Sequence, residues 1–282
     1  MSISDDRYAE IKRKIIGYAE QDGDIEAVVA IGSSTRDSIP ADEFSDLDLI
    51  IATAEPEKWF SGEYPSLFGN VSISFIEPTL GGGMERRCIY DEDKDTDMII
   101  FTPEQFETAI KDGTAGWVMN RGYRILYDSG RYSAMISEYI KPAVSRPEMT
   151  EADFVNIVND FFFHNIWACK KLRRGELWSA KMCIDAYLKE RLLKMIEQYE
   201  IISSGADVWH DGRFLDRWAD RTVIDGLGSC FAHYDTDDCW KALYATHTLF
   251  SRLASFVAVK RSFRYPTEAQ ECAAEYLKKN SI

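Results

Sequence analysis

Hydrophobic residues in the first half of the chain follow both helical and strand spacing. An amphipathic helix is predicted over 5–20, where apolar side chains recur every three or four residues. Short apolar runs predict buried strands over 25–31 and 47–52, and alternation predicts a half-exposed strand over 71–76. Runs at 86–90 and 97–101 flank the charged stretch 91–95 and predict a hairpin. Thr102 before Pro103 predicts a helix start, and a last short strand is predicted over 124–127.

The second half has only helical spacing. Long helices are predicted over 150–174, where Thr150 opens a capping box, and over 177–199, 237–260 and 267–279. The pattern changes near Arg146–Pro147, so we expect two domains, 1–146 and 147–282. The expected fold class is α+β (α/β-type), with a mixed sheet followed by a C-terminal α-helical bundle.

Composition narrows the classes of partner. The chain has 282 residues, 45% of them hydrophobic, and a formal net charge of -14. That acidity argues against nucleic acid as a partner and suits a cationic one.

No apolar run reaches the roughly 20 residues that span a bilayer, and no signal peptide is evident, so we expect a cytoplasmic protein without a membrane partner. Six scattered cysteines argue against structural zinc. A monomer is favoured, although the sequence does not fix the oligomeric state.

Asp46-Leu47-Asp48 is the strongest candidate for chemistry. Residues two apart in a strand point to the same face, so both carboxylates project together while Leu47 faces the core. Adjacent carboxylates repel unless a cation lies between them, and magnesium prefers such oxygen ligands. Asp97, which is predicted to open a later strand, would complete a two-metal site, whereas the acids of 91–95 are expected at a solvated hairpin tip.

Gly32-Ser33 follows the first buried strand. The glycine permits a tight turn and a close approach to a ligand, and the amides and the Ser33 hydroxyl could face a phosphate. By itself such a pair is more often a plain turn.

The combined pattern of strand, Gly-Ser, Asp-x-Asp and a later strand aspartate resembles the polymerase-β-like nucleotidyltransferases. Within them, residues 27–51 resemble the aminoglycoside 6-adenylyltransferases, the streptomycin-modifying family. Further matches are Trp59, 67–69, the hairpin ending in Asp97, and 161–167, 170–172, 174–178 and 180–182. Two departures stand out: Ser34 replaces the usual arginine, with Arg36 two positions on, and Glu77 precedes Pro78 where the family has an acid after the proline.

The resemblance implies a nucleotidyltransferase domain (1–146), a helical substrate-binding domain (147–282) and an active site between them. ATP with magnesium, two ions, would donate AMP to a streptomycin hydroxyl, release pyrophosphate and give antibiotic resistance. Asp46 and Asp48 would bind both ions. Asp97 would bind the one that activates the acceptor oxygen, and the general base would be Asp97 or Glu77. Lys181, early in its helix, either reaches the β- and γ-phosphates or is solvated.

Other readings stay open. The acceptor could be a lincosamide or spectinomycin, or the chain could be a protein adenylylator, although those tend to be short single domains. A non-catalytic nucleotide-binding homologue is the third alternative. Glu85, Asp160 and Glu176 are candidates for contacting a cationic acceptor, and Trp167 and Trp178 either line its pocket or belong to the core.

Overall fold

The computed structural model describes residues 6–36, 40–79, 82–142, 149–208 and 211–280. The chain divides into two compact units, Met1–Ser145 and Arg146–Ile282. The predicted domain boundary at Arg146–Pro147 lies outside the described residues.

The first unit is built on a six-stranded sheet. The elements are α1 (Ala9–Ala19), β1 (Ile25–Ile31), β2 (Leu47–Thr53), α2 (Pro56–Phe60), β3 (Val71–Pro78), β4 (Met84–Tyr90), β5 (Lys94–Phe101), α3 (Pro103–Lys111), α4 (Gly116–Met119), β6 (Arg124–Asp128) and α5 (Tyr132–Tyr139). The strand order in the sheet is β3-β4-β5-β2-β1-β6. Strands β2 and β5 pair in parallel and the other neighbours are antiparallel, so the sheet is mixed and the predicted α+β class is confirmed.

Each face of this sheet has its own apolar core. Leu47 and Leu49 belong to the core that includes α1 and the aromatic pair Trp59 and Phe68. The opposite core joins β1 and the end of β2 to α3 and α5, with Phe106 at its centre. The side chains of β3 and β4 that point toward this second face, which include Phe75 and Arg87, are part of neither core. Polar side chains can therefore occur at these positions.

The hairpin between β4 and β5 is tighter than the sequence predicts. Strand β5 begins at Lys94, so the predictions that Asp97 opens the strand and that Asp95 belongs to the hairpin tip are wrong. The turn is confined to three residues because Asp91 and Glu92 adopt left-handed φ values of 50° and 77°. Those conformations usually require glycine or asparagine, so the sequence gives no signal for so short a turn.

The second unit consists of helices around a single apolar core. Thr150 and Asp153 form the predicted capping box, and Phe161 stacks on Phe250 with ring centroids 3.6 Å apart. None of the helices in the described ranges is long and apolar enough to cross a membrane. The helices are α6 (Glu151–Arg173), α7 (Leu177–Met182), a π-helical turn (Cys183–Tyr187), α8 (Leu188–Ser203), α9 (Leu215–Trp218), α10 (Arg221–Leu227), α11 (Thr236–Arg261) and α12 (Thr267–Asn280).

Candidate active site

Three aspartates converge where β2 and β5 lie side by side. Asp48 pairs directly with Asp97 in the parallel register, and Asp46 precedes β2 by one residue. One carboxylate oxygen from each of the three lies within 4.8 Å of the other two, and all three side chains are half-buried. Because Leu47 and Leu49 are fully buried on the opposite face, the strand is locked in the orientation that presents Asp48 to this site.

The cluster holds more negative charge than its surroundings neutralise. Burial, followed by the charges of Asp46 and Asp97, raises the pKa of Asp48 to about 7, against the opposing charge of Arg36. Burial likewise raises the pKa of Asp97 to about 7; the charges of Glu85 and Asp46 add to the rise, while Arg87 opposes it. Carboxylates that resist ionisation in this way gain from a bound cation, which would remove the repulsion between them.

A glycine is required at position 32 because the backbone there lies against the side chain of Asp48. Its φ is +74°, and a Cβ atom added there would lie 1.8 Å from Oδ2 of Asp48. Ser33, the next residue of the 3₁₀ turn Gly32–Thr35, is buried, and its hydroxyl has no hydrogen-bond partner among the described residues. Ser34 donates to the carbonyl oxygen of Ile31 (3.3 Å). The residue next to the glycine that contacts Asp48 therefore carries a buried, unpaired hydroxyl.

Arg87 is the functional-site residue that the sequence reasoning missed. Its guanidinium lies 2.9 Å from Glu77, 2.8 Å from Glu85 and 3.3 Å from Asp97. Register explains the cluster, because Arg87 pairs with Asp97 on β5 while Glu77 and Glu85 face each other across β3 and β4. The alternation of Glu85 and Arg87 along β4 was the available signal, but only the strand order connects it to Asp97.

Asp95 lies beside these groups. With Asp46, Asp97 and Arg87 it lines a cavity of about 190 Å³. The remaining wall of the cavity consists of Cys88 and apolar side chains, namely Ile73, Phe75 and Ile89. Asp95 is thus an exposed strand residue at the edge of the aspartate cluster.

In the helical unit, the predicted charged residues already have partners. The ammonium of Lys181 contacts the carboxylate of Asp185 and the carbonyl oxygen of Ala232. Asp160 forms an ion pair with Arg191 (2.8 Å). Glu176 forms ion pairs with Lys171 and Arg174. A substrate would have to share these groups with their present partners or displace those partners.

The two tryptophans line a common cavity of about 600 Å³. Trp167 is half-buried and packs against the helical core, whereas Trp178 is exposed. His164 and Tyr187 lie in the wall of the same cavity, with ring centroids 4.1 Å apart. Of the two roles considered for these residues, Trp167 therefore has both, whereas Trp178 lies in the cavity wall alone.

The donor set of the aspartate cluster fits a hard divalent cation. It offers three oxygen ligands within reach of one another, two of them with a raised pKa. Magnesium binds few protein carboxylates and keeps further positions for water and substrate phosphates. Within the described ranges, Asp46, Asp48 and Asp97 are therefore the residues that could hold it.

Comparison with known proteins places the chain in a family. The sequence model of the streptomycin adenylyltransferase family matches residues 6–280. An aminoglycoside 6-adenylyltransferase from Bacillus subtilis (strain 168) is 21% identical, over 89% of this chain and 90% of the relative. Another aminoglycoside 6-adenylyltransferase, from Campylobacter jejuni, is also 21% identical, over 91% of this chain and 90% of the relative.

A crystal structure of an aminoglycoside 6-adenyltransferase from Bacillus subtilis aligns over 97% of this chain and 98% of that one, with 15% identity and a TM-score of 0.46. The family model, which covers nearly the whole chain, carries the assignment. The chain belongs to the streptomycin adenylyltransferase family and is an enzyme of the nucleotidyltransferase class.

Proposed function

We propose that the chain transfers AMP from ATP to a hydroxyl of streptomycin, of the 6-position class, and thereby gives resistance to that antibiotic. The observation that carries the proposal is the convergence of Asp46, Asp48 and Asp97 beside the turn that begins at Gly32. The names of the relatives support the acceptor class, and the matching family model supports the reaction.

The transfer makes one bond and breaks one. The acceptor oxygen bonds to the α-phosphorus, the bond from that phosphorus to the bridging oxygen breaks, and pyrophosphate leaves with the electron pair. The hydroxyl proton passes to a carboxylate. Two magnesium ions, when held by the three aspartates, would neutralise charge on the phosphates and on the acceptor oxygen.

Asp97 is the favoured proton acceptor. In the proposed complex it binds the magnesium ion that activates the acceptor oxygen, which would bring a carboxylate oxygen within reach of the hydroxyl proton. Glu77 is the second candidate. It forms an ion pair with Arg87 (2.9 Å), and a proton on its carboxylate would weaken that pair. Because Arg87 also contacts Asp97, it can steady either carboxylate.

The proposed nucleotide contacts lie at the end of β1 and in the helical unit. Gly32 allows phosphate oxygens to approach closely, and the buried Ser33 hydroxyl is available to donate to one of them. Lys181 is retained as a candidate for the β- and γ-phosphates, in exchange for the Asp185 carboxylate that it now contacts.

Consumption of ATP also agrees with the cytoplasmic location predicted from the sequence. That location, a monomeric state and the lack of a nucleic-acid partner remain predictions.

Streptomycin carries guanidinium groups, which suit a protein with a net charge of -14. The experiment is pyrophosphate release from ATP and magnesium, with streptomycin, spectinomycin or a lincosamide as acceptor. Release with streptomycin alone supports the proposal. Release only with another acceptor would keep the chemistry and overturn the substrate, and ATP binding without release for any acceptor would favour a non-catalytic nucleotide-binding protein.

A further inference from the structure

An apolar surface lies beside the three aspartates on the same face of the sheet. Ile73 and Phe75 of β3 are 59% and 49% exposed, and Ile89 of β4 pairs with Ile73. We call these three side chains the β3–β4 platform. All three line the cavity that also contains Asp46 and Asp97. We propose that the platform binds the acceptor; this inference rests on the proposed function.

Strand register places the platform on one defined side of the aspartates. Directly paired residues form a single row across five strands, from Phe75 through Arg87, Asp97 and Asp48 to Ile31. Paired residues in neighbouring strands point to the same face. The aspartates therefore stand in the middle of the row, with β3 and β4 on one side and β1 on the other.

In-line transfer then decides which substrate lies on which side. The attacking and leaving oxygens lie on opposite sides of the phosphorus. Gly32–Ser33 directly follows Ile31 at the β1 end of the row, and this turn is the proposed contact of the pyrophosphate that leaves. The attacking hydroxyl must consequently come from the side of β4 and β3, where the platform is.

The chemistry of the platform suits a cationic ring compound. Its apolar side chains can pack against the C–H faces of a cyclitol or sugar ring. Arg87 is the one cation among the described residues that line the cavity. Glu77, Glu85 and Asp97 contact it, and the carboxylates of Asp46 and Asp95 line the same cavity. Excess negative charge attracts ammonium or guanidinium groups, whereas the uncharged adenine ring gains nothing from it. Together with the in-line geometry, this assigns the platform to the acceptor.

Phe75→Ala tests this assignment, and Ile76→Ala is its matched control. Ile76 is the next residue of the same strand and points to the opposite face, with 39% of its side chain exposed. Both variants remove an exposed apolar side chain from an edge strand, so their effects on folding should be similar. Calorimetry on the full chain with magnesium and α,β-methylene-ATP measures acceptor binding without turnover, and a separate titration measures binding of the nucleotide analogue.

We expect Phe75→Ala to weaken streptomycin binding by about tenfold, as loss of an aromatic contact predicts, and to leave nucleotide binding unchanged. Ile76→Ala should alter neither by more than about twofold. Equal streptomycin binding by the two variants would overturn the platform assignment, and so would weakened binding of the nucleotide analogue by Phe75→Ala. In either case, AMP transfer by the unaltered enzyme would still support the proposed function. An unaltered enzyme that transfers AMP to no acceptor would remove both.

Discussion

Replacing Asp48 with asparagine should stabilise the metal-free protein while destroying its response to magnesium. Asp48 is one of the two carboxylates whose pKa rises to about 7, and burial and the charges of Asp46 and Asp97 all oppose its ionisation. Asparagine has nearly the same shape, so it should preserve the contact with Gly32, but it carries no charge. If Asp48 served only to stabilise the fold, its replacement would instead lower the free energy of unfolding.

The magnitude follows from the shift in the pKa of Asp48. A rise from 3.8 to about 7 corresponds to about 4 kcal/mol that opposes folding once the carboxyl is ionised. Because the folded state holds its proton more tightly, the unaltered protein loses this stability as the pH rises from about 4 to about 7. We therefore expect Asp48→Asn to be more stable by about 2–4 kcal/mol at pH 8, since part of the burial cost of a polar group remains. At pH 4 the difference should nearly vanish.

The assay is denaturant unfolding of the full chain at pH 4 and pH 8, with and without magnesium, followed by a probe in the first unit. The exposed Asp112, at the end of α3, supplies the control Asp112→Asn. Magnesium at pH 8 should stabilise the unaltered protein and the control, but not Asp48→Asn. If Asp48→Asn is no more stable than the control at pH 8, then Asp48 is not a destabilising buried charge. If the variant still responds fully to magnesium, then Asp48 is not a magnesium ligand.

Three further substitutions have defined outcomes. Gly32→Ala should abolish turnover and magnesium stabilisation, because its Cβ would displace Asp48; near-normal kcat would contradict the close approach. Lys181→Met should lower the unfolding temperature, since Asp185 loses its cation, and should raise the KM for ATP if the phosphate contact exists; an unchanged KM would leave Lys181 a structural role only. His164→Ala should cost about 1 kcal/mol of stability through lost packing and leave kcat unchanged; a large fall in kcat would assign His164 to the chemistry.

Local pattern was sufficient to predict much of the fold. The apolar runs of β1 and β2 and the long helices α6, α11 and α12 lie within a few residues of their predicted bounds, because burial imposes the spacing directly. The shared orientation of Asp46 and Asp48 follows from strand geometry in the same way. The short helices α9 and α10 were not predicted, since neither has enough residues to establish a period.

The rest of the site depends on pairings between distant segments. Asp97 meets Asp48 only because β5 lies parallel to β2, and Arg87 meets Asp97 only because β4 pairs with β5 in one register. Nothing in the spacing of Asp95 revealed that β5 begins at Lys94, because the left-handed turn before it contains no glycine. Long-range register, unlike periodicity, is set by the packing of the whole sheet.

Adenylyl transfer to streptomycin is tested by mass spectrometry of the product after incubation with ATP and magnesium. We expect streptomycin bearing one AMP at a single hydroxyl, with an equal amount of pyrophosphate, and no product from Asp48→Asn. Unmodified streptomycin after prolonged incubation with the unaltered protein, or full activity in Asp48→Asn, would contradict this expectation.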